Sequence, residues 1–235
     1  MGMESIVSLS NVTVRYDDYV AIERVNLEIF ADDFICIIGP NGGGKTTLIK
    51  AILGTIPYSG EVNIAPSLFN GNKRLIGYLP QHSTFDRNFP ISVLEVVMSG
   101  LQSERGFSTK YSREDREKAM QLLDKVGIAS VADRQIGEVS GGQLQRALLC
   151  RAVISEPKLL ILDEPTNFID KQFERELYDI LQQLNQRMAI VMVSHEVNNI
   201  SPAVKSIVCV NRTLHRHNTN TLSHNQLREY CSVNR

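Results

Sequence analysis

Neither sign of charge is in excess. The chain carries 25 basic and 26 acidic side chains for a net charge of -1, so no summed field draws it to nucleic acid or to anionic lipid. Long apolar runs are missing as well, and nothing approaches the roughly 18 consecutive residues that a membrane-crossing helix needs. The opening MGMESIVSLS lacks the charged and apolar regions of a signal peptide, and the expectation is a cytoplasmic protein. Cysteine is sparse. Cys36, Cys150, Cys209 and Cys231 are too scattered for a disulfide framework or a zinc knuckle. The first three lie in apolar runs, where a thiol behaves as a small hydrophobe. Internal repeats and low-complexity tracts are absent.

What remains is the composition of an ordinary globular domain. With 43% hydrophobic and 22% charged residues over 235 positions, the chain can bury a sizeable core in one compact unit. Its first third alternates. Val7 and Leu9, Val12 and Val14, then Val25, Leu27 and Ile29 recur at period two, which predicts half-buried antiparallel strands. Later runs do not alternate. Ile35 to Ile38, Leu159 to Leu162, Ala189 to Val193 and Ile207 to Val210 are short and continuously apolar, as strands buried on both faces of a parallel sheet are. Between them, Ser112 to Asp115 has capping-box spacing, and Ala119, Leu122, Leu123 and Val126 share one helical face that ends at Gly127. Phe173, Leu177, Ile180, Leu181 and Leu184 mark a second amphipathic helix, with Asp170 as a candidate cap.

The chemistry concentrates in Gly39-Pro40-Asn41-Gly42-Gly43-Gly44-Lys45-Thr46-Thr47, which follows one of the buried runs and precedes a helix carrying Leu48, Ile49, Ile52 and Leu53. Gly39, Gly44, Lys45 and Thr46 satisfy the phosphate-binding pattern G-x-x-x-x-G-K-[ST] in the strand-to-helix context it requires. Glycines let successive backbone N–H groups converge on phosphate oxygens while the helix points its positive end at the same place. Lys45 then neutralises the β- and γ-phosphates, and Thr46 ligates Mg²⁺. Such a loop needs a second, carboxylate-bearing strand, and Lys158 to Glu164 supplies it. Asp163 is expected to hold Mg²⁺ through water. Strand alternation is expected to turn Glu164 the opposite way, where it takes the proton of an attacking water as general base.

Val139 to Arg146, V-S-G-G-Q-L-Q-R, resembles the signature of the ATP-binding cassette (ABC) ATPases, nearly L-S-G-G-Q, with Val139 in place of leucine. Ser140-Gly141-Gly142-Gln143 opens a helix, a second N-terminus suited to an anion. The resemblance covers about residues 7 to 210. It implies an α/β fold: a P-loop core with a mostly parallel sheet, an N-terminal antiparallel β-subdomain and an inserted helical subdomain. In that reading residues 1–235 form one domain, with core and β-subdomain in 1–86 and 140–235 and the helical subdomain in 87–139. It also implies Mg²⁺-dependent hydrolysis of ATP by a homodimer that forms head to tail on ATP binding, each nucleotide lying between one copy's P-loop and the other's signature. Tyr16 fits the aromatic that stacks on adenine, with Tyr19 as the second candidate. Gln81 fits the glutamine that senses metal and γ-phosphate, and His195 the histidine that touches the γ-phosphate and positions water. Asn167 to Asp170 fits the loop usually written S/N-A-L-D, although Phe168 is larger than the common alanine.

The same resemblance implies two copies of a separate membrane-spanning permease, with the chain peripheral on the inner face of the membrane, and an extracytoplasmic solute-binding protein. Phe85 and Phe89 fit the socket that receives the permease. Phe89 to Gly100, F-P-I-S-V-L-E-V-V-M-S-G, looks like the zinc and manganese uptake group. The alternative is an ABC ATPase outside any transporter, such as one for iron-sulfur cluster assembly. Near-neutral charge argues against a nucleic-acid partner. His215 and His217 share one face if their segment is a strand.

Overall fold

The alternating residues of the first third form two long strands, β1 (Ser5–Tyr16) and β2 (Tyr19–Phe30). They pair antiparallel up to Tyr16 opposite Tyr19, and the intervening Asp17 takes φ 49°, a conformation aspartate tolerates in tight turns. Val7, Leu9, Val12, Val14, Val25, Leu27 and Ile29 are all buried, as period-two spacing on a one-sided sheet requires. The following elements are β3 (Phe34–Ile38), helix α1 (Lys45–Leu53), β4 (Ser59–Ile64), the short hairpin of β5 (Phe69–Asn70) and β6 (Lys73–Arg74), and β7 (Ile76–Leu79). Strand β4 pairs with β1 and completes a three-stranded antiparallel sheet of order β2-β1-β4.

The computed structural model describes residues 4–71, 73–81, 89–101, 111–166, 171–194 and 202–219. After β7 come α2 (Val93–Met98), α3 (Arg113–Lys125) and α4 (Gly141–Val153), then β8 (Leu159–Asp163), α5 (Lys171–Leu184), β9 (Ala189–Val193), β10 (Ser206–Asn211) and β11 (Thr213–Asn218). The main sheet has the order β11-β10-β3-β9-β8-β7. Its pairs are parallel except β10 with β11. This is the α/β architecture expected from the sequence.

Strand β3 divides two cores. Phe34, Cys36 and Ile38 belong to one, together with Val93, Leu94, Val96 and Val97 of α2, Leu123 of α3, Leu148 of α4 and Phe173 of α5. Ile35 and Ile37 belong to the other, with Leu48, Ile49 and Ile52 of α1 and the inner face of the antiparallel sheet. Strands β8 and β9 alternate in the same way, with Leu160, Leu162, Ile190 and Met192 in the first core and Leu159, Ile161, Val191 and Val193 in the second. Burial on both faces is why these runs carry no polar alternation. Each fully buried aliphatic side chain contributes about 1.5–3 kcal/mol, so the two cores hold the sheet rigid behind the loops at its carboxyl edge. Those loops follow β3, β7, β8 and β9, the edge where open α/β sheets place ligands.

Candidate nucleotide site

The loop after β3 is shaped by close approaches that exclude side chains. A Cβ on Gly39 would lie 2.0 Å from the Val210 carbonyl oxygen. Gly44 has φ 101°, and a Cβ there would meet the Ala21 carbonyl oxygen and Ile22 Cγ2, each at 2.6 Å. Gly44 is also the N-cap of α1, with no side-chain cap and no acidic residue in the first turn. A helix start of this kind, with its leading N–H groups uncapped by a side chain, accommodates an anion.

A cleft of about 460 Å³ opens over this helix start. It is lined by Tyr16, Tyr19 and Ala21 of the β1–β2 hairpin, by Asn41, Gly42, Gly44, Lys45, Thr46 and Thr47 of the loop and helix start, and by Gln81 and Glu164. Lys45 is buried, and its Nζ donates to the carbonyl oxygens of Gly39 and Pro40, each at 2.9 Å. Burial pulls its pKa below the ordinary lysine value, while the carboxylates of Glu164 and Asp163 oppose that shift. Thr46 Oγ1 donates to Asp163 Oδ2 at 3.0 Å, joining the loop to the end of β8. Gln81 Nε2 donates to Glu164 Oε2. Asp163 and Glu164 are both buried, so the two carboxylates are held inside the site. Tyr78, one residue before the end of β7, has its phenol pushed up to about 12, by burial first and by Asp163 second.

The structure corrects the path expected for Glu164. Strand β8 ends at Asp163, and Glu164 takes φ 54°, in the left-handed region rather than the extended one. Its direction is set by this turn, not by strand alternation. Both carboxylates then act electrostatically on Lys45.

The predicted residues fall into four groups. Tyr16, Asn41, Gly42, Gly44, Lys45, Thr46, Thr47, Gln81 and Glu164 line the cleft. Gly39 and Pro40 hold Lys45, Gly43 donates its N–H to the Pro40 carbonyl, and Asp163 sits behind Thr46. Ser140, Gly141, Gly142 and Gln143 are not among the described residues lining it. They open α4, where Ser140 Oγ accepts from the Gln143 N–H at 3.2 Å and Gln143 Oε1 accepts from the Ser140 N–H at 3.0 Å, a capping box. His195, Phe85 and Asn167 to Asp170 lie outside the described residues, whereas Phe89 is 59% exposed. Ala21 is the lining residue that the sequence did not point to, since a strand alanine carries no local signal of function. Tyr19, the second candidate for the base, pairs directly across from Tyr16 in the hairpin.

A glycine-lined helix start with a buried lysine, facing an Asp-Glu strand end, defines the class of P-loop nucleotide hydrolases. Within that class the chain belongs to the ABC transporter family, whose family model matches residues 22–167. It is 41% identical over 196 residues, 82% of this chain and 80% of the other, to a Chlamydia pneumoniae protein named "Probable metal transport system ATP-binding protein". It is 35% identical over 212 residues, 89% of this chain and 76% of the other, to the zinc import ATP-binding protein ZnuC of Marinobacter nauticus. Among solved structures it resembles a metal-chelate type ABC transporter in an inward-facing conformation, with TM-score 0.81 and 27% identity over 96% of this chain and 88% of that one. It also resembles a dimeric ABC cassette bound to ADP and phosphate after hydrolysis, with TM-score 0.73 and 25% identity over 90% of this chain and 98% of that one. The protein is an ABC ATPase. Among the described residues, no helix is long and apolar enough to cross a membrane.

Proposed function

We infer that this chain is the ATP-hydrolysing subunit of an importer for a divalent metal ion, zinc or manganese, working beneath two copies of a separate membrane-spanning permease. The observation that carries the catalytic part is the joining of loop and strand by Thr46 and Asp163 in the cleft that also holds Lys45, Gln81 and Glu164. The relatives named as metal and zinc import ATP-binding proteins support the cargo. The remaining partners follow from the same likeness: an extracytoplasmic solute-binding protein, and a chain peripheral on the inner face of the membrane. Exposed Phe89, before the buried face of α2, suits a socket for the permease.

In this reading the backbone of Gly39 to Gly44 and the start of α1 through Thr47 wrap the phosphates, and Tyr16 stacks on the base. Lys45 exchanges the carbonyl oxygens of Gly39 and Pro40 for phosphate oxygens, stronger acceptors for an ammonium. The hydroxyl of Thr46 and the amide oxygen of Gln81 are hard oxygen donors of the kind Mg²⁺ takes, and the carboxylate of Asp163 would hold it through water; the Thr46–Asp163 contact already sets these two residues side by side. Bound there with ATP, Mg²⁺ supplies charge stabilisation at the β- and γ-phosphate oxygens. Glu164 takes the proton of the attacking water, after the Gln81 amide has released its carboxylate oxygen. The family resemblance assigns the γ-phosphate contact to His195, which lies outside the described residues. Ser140 to Gln143 of a second copy close the site from the other side, and two-fold pairing then completes two sites at once.

Steady-state hydrolysis of MgATP by the purified chain tests the catalytic part. Wild type should turn over, Lys45→Ala should lose nucleotide affinity by at least about tenfold, and Glu164→Gln should lose about 10²- to 10⁴-fold in kcat while still binding ATP. Full turnover by Glu164→Gln would remove that residue from the role. Uptake of radioactive zinc or manganese by vesicles carrying chain and permease tests the cargo, and failure to move either ion would refute it.

A further inference from the structure

The turn between β10 and β11 reaches the nucleotide loop from the far end of the described chain. Arg212 takes φ 59° there, and its backbone spans two elements: its N–H donates to the Gly43 carbonyl at 3.0 Å, and its carbonyl accepts from the Glu23 N–H at 2.7 Å. A parallel bridge between Ile22 and Arg212 fixes the same junction. The side chain continues the link. Its guanidinium carbon lies 5.5 Å from the centroid of the Tyr19 ring, within cation–π range. Tyr19 in turn donates its hydroxyl to the Gly42 carbonyl at 3.1 Å. The carbonyls of two successive loop glycines, Gly42 and Gly43, are thus held by Tyr19 and Arg212, which also hold each other.

We propose that Tyr19 and Arg212 form a clamp that fixes the Gly42–Gly43 backbone in its phosphate-binding shape, making them positioning residues for nucleotide affinity. The proposal rests on the nucleotide-site reading above. A glycine-rich loop has wide backbone freedom, and ordering it on binding costs conformational entropy. Anchoring two carbonyls beforehand removes part of that cost, so the clamp strengthens the grip on phosphates whatever base they carry. Tyr19 here acts through its hydroxyl on the loop, a role separate from the stacking expected of Tyr16 across the hairpin. Because Arg212 belongs to the last hairpin of the main sheet, that hairpin becomes part of the nucleotide site.

Calorimetric titration of wild type, Tyr19→Phe, Arg212→Ala, Arg212→Lys and the Tyr19→Phe/Arg212→Ala double variant tests this, using MgATP and, separately, Mg-tripolyphosphate, which has no base. Tyr19→Phe keeps the ring under Arg212 and loses the hydroxyl that holds the Gly42 carbonyl. It should weaken both probes by about threefold to tenfold, the worth of one hydrogen bond, and in steady-state hydrolysis of MgATP the loss should appear in KM rather than kcat. Arg212→Ala keeps its backbone bond to Gly43 and loses the contact with the Tyr19 ring, so it should weaken both probes less, by about twofold to fivefold; Arg212→Lys should recover most of that loss, and the double variant should be little worse than Tyr19→Phe alone. Tyr19→Phe binding both probes like wild type would overturn the proposal, as would a loss confined to MgATP, which would make Tyr19 a base contact only. If Arg212→Ala fails to fold by circular dichroism, the Tyr19→Phe titration decides alone. Should wild type itself bind neither probe, the nucleotide-site reading fails rather than the clamp.

Discussion

At the scale of single residues, the site depends on burying charge that water would otherwise hold. Lys45, Asp163 and Glu164 are 6%, 1% and 4% exposed, a desolvation offset by mutual attraction and by hydrogen bonds to the loop and to Gln81. Tyr78 gives a measurable consequence. Its phenol is pushed from 10.0 up to about 12, so the folded chain keeps a proton that the unfolded chain releases from about pH 10 upward. Stability contributed by the neutral phenol is therefore intact below pH 10 and falls through the window from 10 to about 12. Denaturant midpoints at about pH 9 and about pH 11 should show that fall in wild type and a smaller one in Tyr78→Phe, and identical falls would count against the assignment. Residue types were legible from the sequence, because G-x-x-x-x-G-K-[ST] states its own chemistry. The conformation of Glu164 was not. Strand alternation runs only as far as the strand, and nothing local announces that β8 stops one residue before Glu164.

At the scale of elements, one device recurs. Helices α2, α3 and α4 each begin with a serine capping box, from Ser92 to Glu95, Ser112 to Asp115 and Ser140 to Gln143. The first two carry an acid at the third helical position, which sits well at the positive end of a helix. The third carries neutral Gln143, which leaves the end of α4 without a charge that would repel phosphate. Ser140→Ala should cost about 1 kcal/mol of stability through the lost cap. Ser140→Asp keeps a capping oxygen and adds a negative charge, so thermal denaturation should match wild type while ATP-dependent association fails; association at wild-type strength would refute the phosphate role. The box at Ser112 could be read ahead of the structure because capping is local. The docking of Arg212 onto Gly43 and Glu23 could not, since it depends on which strands become neighbours in the sheet.

At the scale of the whole molecule, the two cores on either side of β3 carry the carboxyl-edge loops as one surface, with the cleft on it and the start of α4 outside the described lining. In the proposed reading, a chain with a phosphate-binding loop and a separate helix tip suited to the same phosphates completes its site through a second copy. The order of unbroken and alternating apolar runs made this architecture legible, because burial on one face or two leaves different patterns. Scattering measurements of molar mass on Glu164→Gln test the claim most directly. With MgATP the account predicts the mass of a dimer, falling to that of a monomer when Ser140→Asp is added. A sample that binds MgATP by titration yet keeps the monomer mass at every concentration would contradict it.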